Sequence, residues 1–316
     1  MTPHPQSLTA SPEKFAATAQ PGVMISNAWS DSRQTSGATQ RAIGQLLARF
    51  PSFEAFRTID MPFRQKRSSV RRLVHDSGQP HTYTLTRVLA ETRPNLSSLD
   101  ADTRHRSCEM GVPQFDNALE AGASAIGLIS GPRSADPMYR TEAMSVFNAS
   151  QATNCAAAEA FDGLEVLDCA EHKRCTLGTA AEAVAMCDRL GRAGKRAILC
   201  LEVAHLILSE EDILAAVELA HLHLLEFHFC NAVTDSAHPL FGDYHLPSEA
   251  PGVVDVDRFA SLMTDLVRTG YFNGDNRPRV FCEAGKPKDG NSLDVVVHCE
   301  KSRCEGWRRA RLALAS

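Results

Sequence analysis

Four apolar, strand-like stretches each end in a side chain able to bind metal: GLEVLD with Glu165, AILCLEVAH with Glu202, LLEFHFCN with His228 and PRVFCEAGKP with Glu283. A charge at the end of a buried strand is costly unless it is paired or coordinated, so four in succession constrain the fold strongly. Helical or loop segments of 25 to 54 residues separate them, which is the rhythm of successive βα units. Strands so connected run parallel, and closure into a barrel would bring all four side chains to its C-terminal face, the face that carries the chemistry of (β/α)8 proteins. Three carboxylates and one imidazole on one rim would form a hard, oxygen-rich site for Mn2+, Mg2+ or Co2+.

The chain of 316 residues is long enough to form one such barrel with a large core. Its formal charge is −5 and its pI near 6.2, with acidic and basic residues interspersed. That balance argues against a dedicated nucleic-acid or anionic-membrane surface. The short basic stretch Arg64-Gln65-Lys66-Arg67, followed by Arg71-Arg72, reads as a solvated helix face. No apolar run reaches the ~18 residues of a membrane span. Ten cysteines include no CxxC pair, and most stand in apolar stretches. Reduced thiols in a cytoplasmic protein are therefore expected. Residues 1–20 carry Pro, Ser and Thr without a signal-like apolar segment and are expected to form a disordered leader.

From Pro21 onward about eight strand–helix units follow without an obvious linker. A single (β/α)8 TIM barrel over residues 21–316 is the expected architecture. Its strands are expected at PGVMISNAW, FEAFRTIDMP, HTYTLTRVLAE, SAIGLISG and the four stretches above. The segment PNLSSLDADTRHRS reads as a polar linker before a helix over Val112 to Gly122, and Thr234 to Val254 reads as a long loop. No Gly-rich phosphate fingerprint, GxSxG elbow or zinc-type Cys/His spacing is present.

Further candidates surround the four strand ends. Glu226 precedes His228 by two residues and shares its strand face, as a competing ligand or a supporting partner. His205 follows Glu202 by three residues and is placed to bond the ligand carboxylate or a substrate hydroxyl. His172 and Lys173 lie in the loop past Glu165, where a polyhydroxylated substrate would rest. Asp243 and His245 belong to HPLFGDYHLP, a loop of the kind that walls or covers a site. Arg140 follows the fourth strand candidate and is placed to meet hydroxyls or an acidic group.

In order, LISGPRSADPMYR, LEVLDCAEHKRCTLG, LCLEVAHLILSEED, FHFCNAV, HPLFGDYH and VFCEAGKP resemble the xylose-isomerase-like TIM-barrel superfamily. The nearest branch is that of bacterial sugar phosphate isomerase/epimerase proteins, near C-glycoside deglycosidase-type catalytic subunits. The resemblance runs from Gly22 to the C-terminal helix and is sharp from Ile126 to Pro287. In that superfamily a Glu, an Asp, a His and a Glu bind one divalent ion, which corresponds here to Glu165, Glu202, His228 and Glu283. Mn2+ is the expected ion. This chain departs from the pattern in having Glu202 where Asp is usual, Cys230 where Gly is usual, and an added residue before Lys286-Pro287.

The resemblance implies a metal-dependent isomerase or epimerase of a sugar or keto-sugar. The metal would chelate a carbonyl and its neighbouring hydroxyl, and the enediolate would form between Glu165 and Glu283 as proton acceptor and donor. His205 and Lys173 would orient hydroxyls. β-Elimination of a leaving group from a glycoside uses the same enolising step. Two other readings stay open: a catalytically silent barrel acting as a binding or partner subunit, and a metal-dependent apurinic endonuclease, which would need additional His and Asp/Glu ligands. The expected ligand is a small sugar or glycoside, with neither nucleic acid nor membrane as partner, and a homo-oligomer is compatible with the sequence.

Overall fold

The computed structural model describes residues 19–33, 35–59, 67–85, 95–134, 136–158, 162–165, 173–193, 197–248, 250–272, 278–285 and 291–315. Eight parallel strands close into a barrel: β1 (Gln20–Met24), β2 (Ala55–Ile59), β3 (His81–Thr84), β4 (Ala125–Leu128), β5 (Asp162–Glu165), β6 (Ala197–Glu202), β7 (Leu224–Phe229) and β10 (Arg279–Cys282). Closure is made by β1, which pairs with β2 on one side and β10 on the other. Parallel strands covered by helices are buried on both faces, which is why these segments read as short apolar runs.

Around the barrel lie α1 (Ser36–Arg49), α2 (Arg67–Ser77), α3 (Ala101–Glu120), α4 (Arg140–Ala158), α5 (Ala180–Arg192), α6 (Val203–Leu208), α7 (Ile213–Ala220), α8 (Val256–Arg268) and α9 (Ser292–Ala315). Side-chain oxygens cap several helix starts: Thr35 on α1, Asp100 on α3, Asp212 on α7 and Asp255 on α8. Thr179 and Glu182 form a reciprocal capping box on α5, satisfying backbone donors that have no partner within the helix. Helices and strands share one apolar core, in which Phe56, Phe115, Phe147 and Phe227 are fully buried.

Several element boundaries depart from the sequence expectation. The first strand stops at Met24, and Ile25–Ala28 forms a helical turn. Gln20 is in β1 and Ala19 is buried, so these two residues of the expected leader belong to the fold; residues 1–18 lie outside the described part. The second half of the expected polar linker, from Ala101, is already helical and opens α3, because Asp100 accepts from the Thr103 backbone N–H at 2.7 Å and starts the helix there. Pro113 lies within that helix. The expected long loop after Val233 contains β9 (Gly242–Leu246), which pairs antiparallel with β8 (Asn231–Val233). The backbone N–H of Gly285 donates to the His245 carbonyl at 2.7 Å, fastening this hairpin to the segment after β10. No helix among the described residues is long and apolar enough to cross a membrane. The described cysteines are all free thiols.

Candidate functional site

Strand register brings three of the four predicted ligands together. Glu202 of β6 stands opposite His228 of β7, and the Glu283 backbone N–H donates to the Phe229 carbonyl at 2.9 Å. Glu202, His228 and Glu283 are all buried, with ligand atoms within 4.8 Å of one another. The Glu165 backbone ends β5 in register with Cys200, while its side chain and all of His172 lie outside the described residues. His228 Nδ1 is 2.6 Å from Glu283 Oε2, and Asn27 Nδ2 donates to the other Glu283 oxygen at 3.0 Å.

A second set of donors adjoins the first through Glu202. His205, on the first turn of α6, directs Nε2 between Glu202 Oε2 at 3.4 Å and Asp243 Oδ2 at 3.1 Å. His245 Nε2 lies 3.2 Å from Glu283 Oε1 and 3.6 Å from Glu202 Oε2. Lys173 Nζ reaches Asp243 Oδ2 at 3.0 Å. The Lys173 loop is positioned by its neighbours: the Arg133 N–H donates to the Arg174 carbonyl, and the Thr176 N–H to the Gly131 carbonyl. Glu202, His205, Asp243 and His245 again have ligand atoms within 4.8 Å of one another. His245 holds φ at +51°, a left-handed conformation uncommon for a residue with a side chain. Backbone strain of this kind persists where surrounding contacts fix it, here those of the β8–β9 hairpin.

Arg140 stands apart from this cluster, pairing with Glu182 of the α5 capping box at 2.7 Å. Glu226, weighed from sequence as a competing ligand or a supporting partner, is buried deeper in the barrel, where it, Cys200 and His228 have ligand atoms within 4.8 Å of one another. It accepts from Arg57 at 3.2 Å, from Arg279 at 2.9 Å and from the Thr82 hydroxyl, and faces His228 Nε2 at 3.2 Å. Arg57 also donates to Thr84 Oγ1 at 2.6 Å and to Cys200 Sγ at 3.1 Å. Sequence reasoning missed Arg57, Arg279, Thr82 and Asn27. The available signal was a lone arginine in each of the apolar strands AFRTI and RVFC.

These contacts set the charge states. Burial opposes ionisation of Glu226, yet the bond to His228 and the Arg57 and Arg279 guanidinia hold its carboxyl well below the usual range. Burial likewise opposes a charged His245, but Asp243, Glu202 and Glu283 lift it well above an ordinary histidine. Glu283 is held low against burial by the His245 charge and by bonds from His228 and His245. Burial, reinforced by Glu202, Asp243 and Glu283, pushes the Cys230 thiol up.

Among the described residues, Glu202 Oε2 and Asp243 Oδ1 are buried and accept no hydrogen bond, the nearest imidazole nitrogens of His205 and His245 standing 3.4 to 3.6 Å away. Leaving an anionic oxygen buried without a donor is costly, and a divalent cation would supply what is missing. Carboxylates with imidazole also match the preferences of Mn2+, Mg2+ and Co2+. The residues present therefore fit a metal ion.

The fold and this cluster define a (β/α)8 barrel with a buried carboxylate–imidazole centre at its C-terminal mouth. Solved structures superpose on this barrel over most of their length. An L-ribulose 3-epimerase superposes with a TM-score of 0.71 at 17% identity, over 93% of this chain and 96% of that one. D-psicose 3-epimerase from Clostridium cellulolyticum H10, solved with D-tagatose, gives 0.62 at 16% identity over 94% and 97%. A family 2 AP endonuclease from Brucella melitensis gives 0.63 at 13% identity over 89% and 98%. No protein-family model matches the sequence, and no curated protein matches it.

Proposed function

We propose that this chain is a divalent-metal-dependent isomerase or epimerase of a sugar or keto-sugar. The observation that carries the reading is the convergence of Glu202, His228 and Glu283 on one buried centre where Glu202 Oε2 accepts no hydrogen bond from the described residues. The superposition on sugar 3-epimerases supports it. Glu165, Glu202, His228 and Glu283 would hold the cation, with Mn2+ the first choice. When bound, the cation supplies a Lewis acid that polarises a carbonyl and its neighbouring hydroxyl and makes the adjacent C–H acidic.

The remaining work falls to side chains. Glu283 and Glu165 take up and return the carbon-bound proton, since a carboxylate can engage a cation through one oxygen and move a proton with the other. Asn27 fixes the orientation of Glu283 through its bond to Oε1. His205, His245 and Lys173, gathered around Asp243, orient substrate hydroxyls at the mouth. The β8–β9 hairpin holds Asp243 and His245 beside Glu202 and Glu283 at that mouth. Elimination from a glycoside is the related outcome when a leaving group lies beta to the acidic carbon.

The test is incubation of Mn2+-loaded protein with a panel of ketoses, aldoses and C-glycosides in D2O. Deuterium entering carbon next to the carbonyl, lost in Glu283→Gln, is the expected result. Absence of exchange across the panel would count against the assignment.

A second reading has one observation in its favour. His205, Asp243 and His245 are the kind of additional donors a multi-metal phosphodiesterase requires, and one superposable structure is a family 2 AP endonuclease. Metal-dependent nicking of an abasic-site duplex at low salt, without sugar exchange, would favour it.

A further inference from the structure

The space beside Glu202 is filled by a thiol. Cys230 lies two residues beyond His228, and His228 is the register partner of Glu202. Its side chain therefore stands one step nearer the barrel mouth on the same strand face. Glutamate reaches one methylene further than aspartate, and that added reach takes Oε1 to the level of Cys230. The Cys230 thiol donates to Glu202 Oε1 at 2.7 Å, and both residues are buried. Oε2 accepts no hydrogen bond among the described residues, with His205 Nε2 3.4 Å and His245 Nε2 3.6 Å away.

We infer that Cys230 is a positioning residue that engages Glu202 Oε1 and presents Oε2 alone to the cation. The inference rests on the metal-centre reading above. Without the thiol, Oε1 would be free to swing toward the cation, and the carboxylate could bind through both oxygens. Glu202 and Cys230 thus act as a unit: the longer acid needs a small donor at the strand end, and the donor needs the longer acid to reach it.

Two measurements test this. The first uses metal-free protein. A wild-type minus Cys230→Ser infrared difference spectrum isolates the S–H stretch of Cys230, because serine has no such band. The band is expected at lower frequency than that of an unbonded thiol, and Glu202→Gln should shift it. A band at the free-thiol frequency, unmoved by Glu202→Gln, overturns the pairing.

The second is Mn2+ affinity by calorimetry with the Co2+ visible spectrum, after thermal melts show that each metal-free variant is folded. Cys230→Ala is expected to weaken affinity about tenfold, the usual scale for removing a partner of a metal ligand, and to change the Co2+ band intensity that reports coordination number. Cys230→Ser retains a donor and should stay close to wild type in both. Wild-type affinity and spectrum in Cys230→Ala would overturn the positioning role. Failure of the wild type itself to bind either metal would overturn the metal-centre reading and with it the metal-facing role of Oε2, while the metal-free spectrum still decides the pairing.

Discussion

Glu226 Oε2 lies 3.2 Å from His228 Nε2, so the imidazole near the end of β7 is braced by a carboxylate two residues earlier on the same strand. The opposite ring nitrogen, Nδ1, faces Glu283. A carboxylate behind a ligand histidine fixes its orientation and raises its basicity. Glu226 can serve this way because Arg57 and Arg279 compensate its charge inside the barrel.

Removal of that carboxylate should be felt as a loss of stability. Glu226→Leu leaves two buried guanidinium groups without their shared anion, and breaking a buried pair from one side costs about 3–5 kcal/mol. Equilibrium denaturation at fixed pH measures it. A loss below about 1 kcal/mol would mean that the network is not held by this charge.

Glu283→Gln should separate function from folding. The amide nearly preserves the side-chain volume, yet it removes the negative charge facing His228 and His245. Metal retention and deuterium exchange are expected to disappear while the far-ultraviolet spectrum of the metal-free protein stays unchanged. Undiminished exchange would remove Glu283 from the mechanism.

His81 gives the fold an acid-labile point away from the candidate site. Its ring stacks on Phe56 with centroids 4.9 Å apart, and its Nε2 lies 2.9 Å from Thr58 Oγ1. Burial lowers its pKa from the ordinary 6.5 to about 3, with the Arg279 charge adding to the effect. The unfolded chain therefore binds a proton that the folded chain refuses between those two values. The stabilisation is complete above pH 6.5 and falls with acidification toward pH 3, by at most about 1.4 kcal/mol per pH unit. Denaturation midpoints of wild type and His81→Gln between pH 7 and pH 4 should converge or cross as the pH drops. Parallel profiles would contradict the assignment.

Gly306 marks the contact between α8 and α9. A Cβ there would collide with the Phe259 ring, which is itself buried. Gly306→Ala should destabilise by about 1–3 kcal/mol, the usual range for overpacking, despite the higher helix propensity of alanine. A gain in melting temperature would show that the two helices can separate freely at this point.

The part of the site legible in sequence was the part that violates a rule. Glu202, His228 and Glu283 were visible because ionisable groups ended apolar strands, and the parallel barrel then fixed where they meet. Arg57 and Arg279 break the same rule. Their significance depends on the inward pleat of strands far apart in sequence, and only closure of the barrel brings them to Glu226. Asp243 and His245 were expected in a long loop, but the hairpin that holds them beside Glu202 and Glu283 was not. Its pairing depends on Asn231, whose side chain donates to the Ala250 carbonyl and accepts from the Val254 N–H, tying the segment after β9 back to β8. The start of α3 was lost because Ser, Asp and Thr read equally well as a linker or as a cap, and the Asp100–Thr103 bond decides between them.

The most direct test of the central claim is metal content by inductively coupled plasma mass spectrometry. Protein would be purified without added metal or chelator, reconstituted with Mn2+ and freed of unbound ion, with Glu283→Gln treated in parallel. The account predicts stoichiometric Mn2+ in the wild type, at least about one ion per chain as the donor sets require, and loss of that ion in Glu283→Gln. No retained metal in the wild type after reconstitution would contradict it and leave the barrel as a catalytically silent binding subunit.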